Sequence, residues 1–340
     1  MTFKRFACVQ PPPQLHPKPR CGRLPEGISG GRAMKLVYFN DYRMGVLKGT
    51  SVVDVSAAVA DIPHVGPGDH MSGLIARFDA YRPKLQAAVD AAAGVPLASV
   101  TLRPPLPKPG NIVCMAVNYM ENGTLKEAAP INAFHKAPTA IMGPGDTMVL
   151  PDVPASIFEG EAEMALVIGK RAKNVAAADA FKHIFGYINF IDGSARGLAP
   201  QSFFHMKSRD TFAPIGPWLV TADEIADPQK LDINLWVNGT LKQSFNTDDM
   251  AHKIARCIEW VSHCHTLEPG DILATGTNHR GLSSFQDGDT VELETQGLGR
   301  LSFKIRDDLK RSWARDTRLE RAEKSLSATA PQLTGKYAQA

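Results

Sequence analysis

The sequence lacks any run of about 18 consecutive apolar residues, the length that a helix needs to cross a membrane. It also has little excess charge, because 38 Lys and Arg stand against 35 Asp and Glu and leave a formal net charge of +3. Proteins that bind nucleic acids or anionic membranes usually concentrate basic residues on one face. The composition therefore excludes a membrane-spanning helix and predicts neither a nucleic acid nor a membrane as the partner.

Cysteine is also scarce, with five residues at irregular spacing and no CxxC pair. The odd number favours free thiols in a reducing, cytoplasmic compartment over a disulfide framework. Cys257 and Cys264 lie close to His263 and His265, which raises zinc binding as an alternative. Cys257, however, recurs at helical spacing with the apolar residues between 250 and 261. The sequence therefore favours a core position for Cys257.

Composition and turn signals divide the chain into segments. The first 33 residues hold six prolines and six basic residues against one acid, and we interpret them as a disordered or mis-assigned extension, with Met34 as the natural start. A stretch punctuated by proline at 103–111 predicts a domain boundary. The predicted organisation is an extension (1–33), a small N-terminal α/β domain (34–105), a larger catalytic domain (106–310) and a polar, charged C-terminal tail (311–340) that is either a solvated helix or a fraying end.

The pattern of apolar residues predicts an α+β protein that is mainly β. From residue 111 onward, short strand-like runs are separated by glycine turns and by Asn238-Gly239, a dipeptide typical of hairpins. Two stretches show helical spacing instead, 70–93 and 248–264. We therefore expect a β core with few helices.

Three carboxylates stand out within the strand-like runs. Glu161 and Glu163 are two residues apart, so on a strand their side chains point to the same face, which continues with apolar residues. Asp192 ends another apolar run. Buried carboxylates repel one another unless a cation or protons compensate. An oxygen-only ligand set selects Mg²⁺, Mn²⁺ or Ca²⁺ over zinc. From spacing alone, a solvated strand face is the alternative.

Several separated blocks of the chain resemble the fumarylacetoacetate hydrolase family, in the same order. They lie between about residue 111 and residue 305 and read PGNIVCMAVNY, GPGDTMVLP, EGEAEMALVIGK, GYINFIDGSAR, KSRDTFAPIGPWLVTADEI, VNGTLKQSFNTDDM, LEPGDILATGT and GDTVELETQGLG. The resemblance implies a mixed β-roll core and a homodimer. It also implies Mg²⁺ or Mn²⁺ that chelates a small anionic 2-oxo acid or β-diketone, and places Glu161, Glu163 and Asp192 on the ligand positions.

The same resemblance implies roles for three further residues. Lys207 matches a lysine near the substrate, with a surface lysine as the alternative. Thr277 matches a hydroxyl next to the substrate. Arg196 follows Asp192 in the matching block, where it either pairs with a carboxylate or braces the ligand loop.

The chain departs from the family where a histidine and a glutamate usually activate water. Asn122 and Leu125 occupy those positions, and neither takes a proton from water near neutral pH. Gly197 likewise replaces an acidic residue that usually follows the arginine. Two kinds of substitute are conceivable. The first is His279, as a base or a ligand for a substrate carboxylate, with a loop histidine that has no role as the alternative. The second is a lid acid, Glu121 or Glu127.

These features predict hydrolytic carbon–carbon cleavage of an acylpyruvate-like or β-diketone substrate, of the kind produced in aromatic-compound catabolism. Decarboxylation, hydration or isomerisation of a 2-oxo dioate is the alternative, because these reactions do without the missing water-activating pair. A non-catalytic metal-binding relative is a third interpretation.

Overall fold

The computed structural model describes residues 33–338, and the extension predicted at 1–33 lies outside them except for its last residue. Strands dominate this part of the chain, as the sequence predicts. The strands are β1 (Lys35–Phe39), β2 (Arg43–Lys48), β3 (Ser51–Asp54), β4 (Val95–Pro96), β5 (Leu102–Arg103), β6 (Ile112–Met115), β7 (Ala133–Lys136), β8 (Ile141–Met142), β9 (Thr147–Val149), β10 (Ile157–Ile168), β11 (Ile184–Arg196), β12 (Ala213–Thr221), β13 (Asp232–Val237), β14 (Thr240–Asn246), β15 (Ile272–Ala274), β16 (Thr290–Thr295), β17 (Gly299–Arg306), β18 (Ser312–Trp313) and β19 (Gln332–Thr334).

The helices are α1 (Pro67–Ala76), α2 (Phe78–Ala91), α3 (Phe203–Lys207), α4 (Ile254–Cys264) and α5 (Arg318–Glu323). A mainly-β fold with few helices is therefore confirmed. None of the helices in residues 33–338 has both the length and the apolar character that a membrane crossing requires.

Two sheets form the framework of residues 33–338. The larger sheet has 12 strands and follows the order β4-β3-β2-β1-β12-β11-β10-β15-β6-β7, with β5 beside β1 and β8 beside β12. The smaller sheet has five strands in the order β14-β13-β16-β17-β9. Since β1 pairs with β12, the larger sheet continues past the linker at which the sequence predicts a domain boundary. The division into domains at residue 105 stays a prediction.

Strands β10 and β11 lie in the middle of the larger sheet and form its longest ladder. They run antiparallel, and every residue of β10 is buried. A strand that is covered on both faces carries a continuous apolar run, not an alternation of apolar and polar residues. This explains why most residues of β10 and β11 are apolar. A charged residue on β10 is therefore buried and has to find a partner there.

The first stretch with helical spacing, 70–93, forms two helices rather than one. α1 ends at Ala76 and α2 begins at Phe78, with Arg77 between them outside the helical conformation. The apolar face predicted from spacing is largely buried in both, including Leu74 and Leu85. The periodicity identified the face correctly but not the break.

The second stretch, 248–264, is α-helical only from Ile254 onward, and its first two residues belong to a separate short 3-10 helix, Thr247–Asp249. The main-chain N–H groups of Ala251 and His252 donate instead to the backbone and side-chain oxygens of Asn118, so this segment cannot continue a helix. Cys257 is fully buried on the apolar face of α4, and its thiol donates to the carbonyl of His252. The core position predicted for Cys257 is confirmed.

The C-terminal segment contains a helix, α5, as one of the two predictions for it has it, but the segment is less solvated than its polar composition predicts. Trp313 is buried, and the Arg311 and Asp307 side chains form a fully buried ion pair. Arg311 also donates to the carbonyls of Pro151 and Val153. A buried charge is tolerated when it is paired and hydrogen-bonded. A charged composition therefore does not require this segment to be exposed.

Candidate metal centre

Three carboxylates meet on the β10–β11 ladder. Glu161 lies directly opposite Asp192 in the antiparallel register, and Glu163 is two residues farther along the same face of β10. Each of the three offers an oxygen within 4.8 Å of the others, and all three residues are buried. The solvated strand face considered from spacing alone is therefore wrong. The structure brings together the three residues predicted as metal ligands, and ion binding itself stays a proposal.

Lys207 supplies positive charge to two of these carboxylates. It is the last residue of α3 and is 2% exposed, so the alternative of a surface lysine is wrong. Its Nζ lies 2.8 Å from Glu161 Oε1 and 2.5 Å from Asp192 Oδ2. Burial by itself would lower the pKa of Lys207, but the charges of Asp192 and Glu161 raise it, and the ammonium stays protonated.

A second buried lysine, Lys136, was not identified from the sequence. It ends β7, and its Nζ lies 2.6 Å from Asp192 Oδ1 while donating to the carbonyl of Lys207 at 2.5 Å. The sequence around it, AFHK, contains no sign of burial. Only the fold packs α3 against β7 and brings the Lys136 side chain to Asp192 of β11, so no sequence pattern would have revealed this contact. Asp192 is thus held between two ammonium groups.

Arg196 pairs with a carboxylate, the first of the two roles considered for it. Its guanidinium contacts Glu161 and also Glu159, whose Oε2 it reaches from Nε at 3.0 Å. Although burial alone would raise the pKa of Glu161, the charges of Lys207 and Arg196 hold it well below its usual value. Glu159 was overlooked in the sequence analysis although it continues the E-x-E spacing of β10, and Arg318 binds it from the C-terminal segment at 2.6 Å.

Glu163 is the carboxylate without a cation. Its Oε2 accepts a hydrogen bond from the main-chain N–H of Gly276 at 2.7 Å, but its buried Oε1 has no partner among the described residues. Burial and the negative charges of Asp192 and Glu161 raise the pKa of Glu163 well above its usual value. A hard divalent cation held by these three oxygen donors would satisfy the orphaned oxygen and relieve the repulsion. The residues present therefore fit such an ion.

Thr277 belongs to the loop that closes over Glu163. Gly276, with φ of +85°, turns the chain so that its N–H faces the carboxylate, and such a backbone conformation favours glycine. The hydroxyl of Thr277 accepts a hydrogen bond from Gln243 Nε2 at 2.9 Å, and Gln243 Oε1 accepts from the N–H of Ala162 between the two glutamates of β10. Gln243, which sequence analysis did not identify, thus connects the Thr277 loop to the carboxylate strand.

His279 and Glu121 form a pair, although each was considered separately as a substitute for the missing residues. Glu121 Oε1 lies 2.7 Å from His279 Nδ1, and Glu121 Oε2 accepts from the His279 main-chain N–H at 2.9 Å. Because a carboxylate only accepts, Nδ1 carries the proton and Nε2 is left as the basic nitrogen. Glu127, the other lid acid considered, is exposed.

Asn122, which stands where the resemblance implies a histidine, makes structural contacts. Its main-chain N–H donates to Asp249 Oδ2 at 2.9 Å, and its side-chain oxygen accepts from Asn278 at 3.1 Å. Both Glu121 and Asn122 have positive φ, near 55°, so the chain turns sharply here and directs Glu121 toward His279. Leu125 is exposed.

Comparison with known proteins finds similarity over most of the chain. Residues 111–306 match the model of the fumarylacetoacetate (FAA) hydrolase C-terminal domain. The maleylpyruvate hydrolase of Aquipseudomonas alcaligenes is 32% identical over 80% of this chain and 99% of that protein. A mitochondrial oxaloacetate tautomerase of Bos taurus is 38% identical over 62% of this chain and 71% of that protein. The crystal structure of maleylpyruvate hydrolase from Sphingobium sp. SYK-6 with manganese(II) and pyruvate has a TM-score of 0.73 at 36% identity, covering 81% of this chain and 99% of that one.

Proposed function

The chain belongs to the fumarylacetoacetate hydrolase family, and we propose that it is a divalent-metal-dependent hydrolase that cleaves a carbon–carbon bond in an acylpyruvate-like or β-diketone substrate. The family resemblance read from the sequence is confirmed. The proteins that resemble this chain are named as hydrolases, tautomerases or isomerases, for example of maleylpyruvate, oxaloacetate and 2-hydroxyhepta-2,4-diene-1,7-dioate. The choice among these reactions rests on the residues beside the carboxylates.

Glu161, Glu163 and Asp192 hold the ion in this proposal. Mg²⁺ or Mn²⁺ suits the three oxygen donors, and Ca²⁺ remains compatible with them. When bound, the ion supplies Lewis-acid polarisation of substrate oxygens and stabilises negative charge that develops during bond cleavage. Lys207 and Lys136 fix the orientation of Asp192, and Lys207 with Arg196 keeps Glu161 ionised.

The Glu121–His279 pair is the observation that carries the hydrolytic proposal. Glu121 fixes the tautomer of His279, so that Nε2 accepts a proton from water as the water oxygen bonds to the acyl carbonyl carbon. The bond between that carbon and the pyruvate portion then breaks. The departing carbon takes up the proton that His279 received from water and leaves as pyruvate, and the acyl portion leaves as a carboxylic acid. One water is consumed, so atoms and charge balance.

A tautomerase or isomerase of a 2-oxo dioate is the second candidate. Asn122 stands at the family's histidine position, and a single base suffices to move a proton between enol and keto forms. The 38% identity to an oxaloacetate tautomerase supports this alternative. Decarboxylation and hydration share the same requirement for a stabilised enolate.

Product analysis with the purified protein separates these possibilities. EDTA-treated protein is reloaded with Mn²⁺ or Mg²⁺ and given acylpyruvates, oxaloacetate and unsaturated 2-oxo dioates, while ultraviolet absorbance follows the enol. Lactate dehydrogenase measures the pyruvate released. We expect metal-dependent loss of the acylpyruvate enol with one pyruvate formed per substrate consumed. Loss of the enol without pyruvate would identify a tautomerase or hydratase, and no change with any substrate would favour a non-catalytic relative.

A further inference from the structure

Two histidines outside the carboxylate cluster lie side by side at one end of the larger sheet. His135 belongs to β7, the last strand of that sheet, and His265 directly follows α4. Their ring centroids are 5.1 Å apart, and the ring planes are tilted by 41°. Because successive side chains of a strand point to opposite faces, His135 points away from its buried neighbour Lys136. The two imidazoles therefore form a cluster of their own.

The ring of His265 has a nitrogen that lacks a partner. Its Nδ1 lies 2.9 Å from the carbonyl oxygen of Thr266. Because a carbonyl only accepts, Nδ1 carries the proton and Nε2 carries the lone pair. Nε2 is buried and forms no hydrogen bond with any of residues 33–338. A histidine that binds a metal has the same form, with one ring nitrogen donating to a backbone carbonyl and the other free for the ion.

His135 supplies the second imidazole. Its ring forms no hydrogen bond with any other described residue, and its ring contact is with His265. Partial burial and the neighbouring His265 lower the pKa of His135, although Asp271 opposes the shift. The ring is therefore neutral near pH 7, which is the form that binds metals. His135 is exposed, so an ion can reach the pair from solvent.

We propose that His135 and His265 bind a divalent transition-metal ion that prefers imidazole, such as Zn²⁺, at a site separate from the carboxylate cluster. Imidazole nitrogen suits Zn²⁺, whereas carboxylate oxygen suits Mg²⁺ and Mn²⁺. The sequence raised zinc binding for the stretch that contains Cys257 and His265. Cys257 is in the core, however, and the partner of His265 comes from β7 instead.

The number of ligands determines how such an ion is held. Within residues 33–338, the three carboxylates are the only group of three or more histidine, cysteine or acidic side chains that could hold an ion together. The histidine pair thus supplies two of the four ligands of a tetrahedral ion, and water fills the other positions. Cys264, next to His265, is exposed and does not complete the set. EDTA should therefore remove this ion, and added Zn²⁺ should restore it.

Equilibrium dialysis against Zn²⁺ in excess Mg²⁺, with the metal content measured per chain, tests this site on the EDTA-treated full-length protein. We expect the wild type to bind about one more Zn²⁺ per chain than His135→Gln or His265→Gln, because each substitution removes one of two ligands. The carboxylate cluster is the same in all three proteins, so its occupancy cancels in the difference. The affinity for the additional ion should fall by at least about 10-fold, the smallest usual effect of losing even an outer contact of a metal site.

His263→Gln is the matched control, since His263 is an exposed histidine in the same segment whose Nδ1 lies 2.7 Å from the carbonyl oxygen of Glu259. It should bind as much Zn²⁺ as the wild type. Circular dichroism checks that each variant folds, and because β7 and α4 are separate elements, one folded variant of the pair decides the matter. An undiminished Zn²⁺ content in that variant, or an equal loss in His263→Gln, overturns the inference. Either result leaves the proposed function standing, because that function rests on the carboxylate cluster.

Discussion

Nδ1 of His279 lies 2.7 Å from Oε1 of Glu121, although 158 residues separate the two in the chain. The histidine comes from the loop after β15, and the glutamate from the sharp turn after β6. Because β6 and β15 are neighbouring parallel strands, their following loops emerge at the same edge of the sheet. A histidine–carboxylate pair is therefore assembled here by strand order.

This pair gives the first prediction, on turnover of an acylpyruvate. His279→Gln is expected to lower kcat by about 100- to 10,000-fold, the usual contribution of a positioned general base. Glu121→Gln lowers it less, because the base remains but its tautomer is no longer fixed. The double variant should be no slower than His279→Gln alone, since the two residues act as one unit. Steady-state kinetics of all three variants measures this.

Glu127→Gln is the control for the pair, because Glu127 is an exposed acid in the same segment. Wild-type kcat and KM are expected for it. If the double variant loses kcat by the product of the two single losses, the residues act independently. The contact between Glu121 and His279 then contributes nothing to catalysis.

The second prediction concerns metal binding to Glu163. Mn²⁺ should raise the melting temperature of EDTA-treated protein, because binding to the folded state alone adds about 2.7 kcal/mol when the free ion is 100-fold above its dissociation constant. Glu163→Gln should lose that response while melting no lower than the wild type without metal, since it removes a carboxylate repelled by Asp192 and Glu161. Differential scanning calorimetry with and without Mn²⁺ measures both effects.

Glu159→Gln provides the contrast on the same strand. Glu159 is held by Arg196 and Arg318 and is not one of the three residues proposed as ligands, so its loss should lower stability but keep the response to Mn²⁺. If the two variants respond alike, Glu163 is not a ligand.

The third prediction concerns the buried ion pair of the C-terminal segment. Asp307→Asn should lower the free energy of unfolding by about 3–5 kcal/mol, because it leaves the buried Arg311 guanidinium without its counter-charge. Asp308→Asn is the matched control one residue away, at a side chain that is 73% exposed, and should change the free energy by less than about 0.5 kcal/mol. Urea unfolding of both variants provides the comparison, and equal losses would contradict the burial argument.

The fourth prediction is a loss of stability in alkali that depends on Cys257. Burial raises the pKa of its thiol from the ordinary value of 9.0 to about 12. Below pH 9 the thiol is protonated in both the folded and the unfolded state, and its contribution to the free energy of unfolding is fully present. As the pH rises from 9 toward 12, only the unfolded state loses the proton, so the free energy of unfolding falls by about 1.4 kcal/mol per pH unit for this group.

Cys257→Ala should therefore show a shallower decline than the wild type in urea unfolding between pH 9 and pH 10.5. Cys264→Ala should keep the wild-type slope, because Cys264 is exposed. Identical slopes for Cys257→Ala and the wild type would contradict the prediction.

The sequence allowed the carboxylate cluster to be predicted only because two kinds of information were combined. The two-residue spacing places Glu161 and Glu163 on one face whatever the fold. Their proximity to Asp192 depends on the register between β10 and β11, in which Glu161 faces Asp192. No local pattern encodes that register, and the family resemblance supplied it instead.

Other residues of the site could not be predicted because their partners are distant in sequence. Lys136 binds Asp192 across 56 residues, and Arg318 binds Glu159 across 159. A lysine at the end of a short strand and an arginine in a polar segment both have the composition of surface positions. Their burial follows from the order of strands in the sheet and from the packing of α5, which single-sequence periodicity does not contain.

The contact between Arg318 and Glu159 has a consequence for how the wall beside His279 can be varied. The family model ends at residue 306, yet α5 forms part of the wall beside His279 and Arg280. Exchange of residues 311–338 between relatives would reshape that wall while every residue of the shared family segment stayed the same. Chimeras of this kind offer a direct route to altered substrate range.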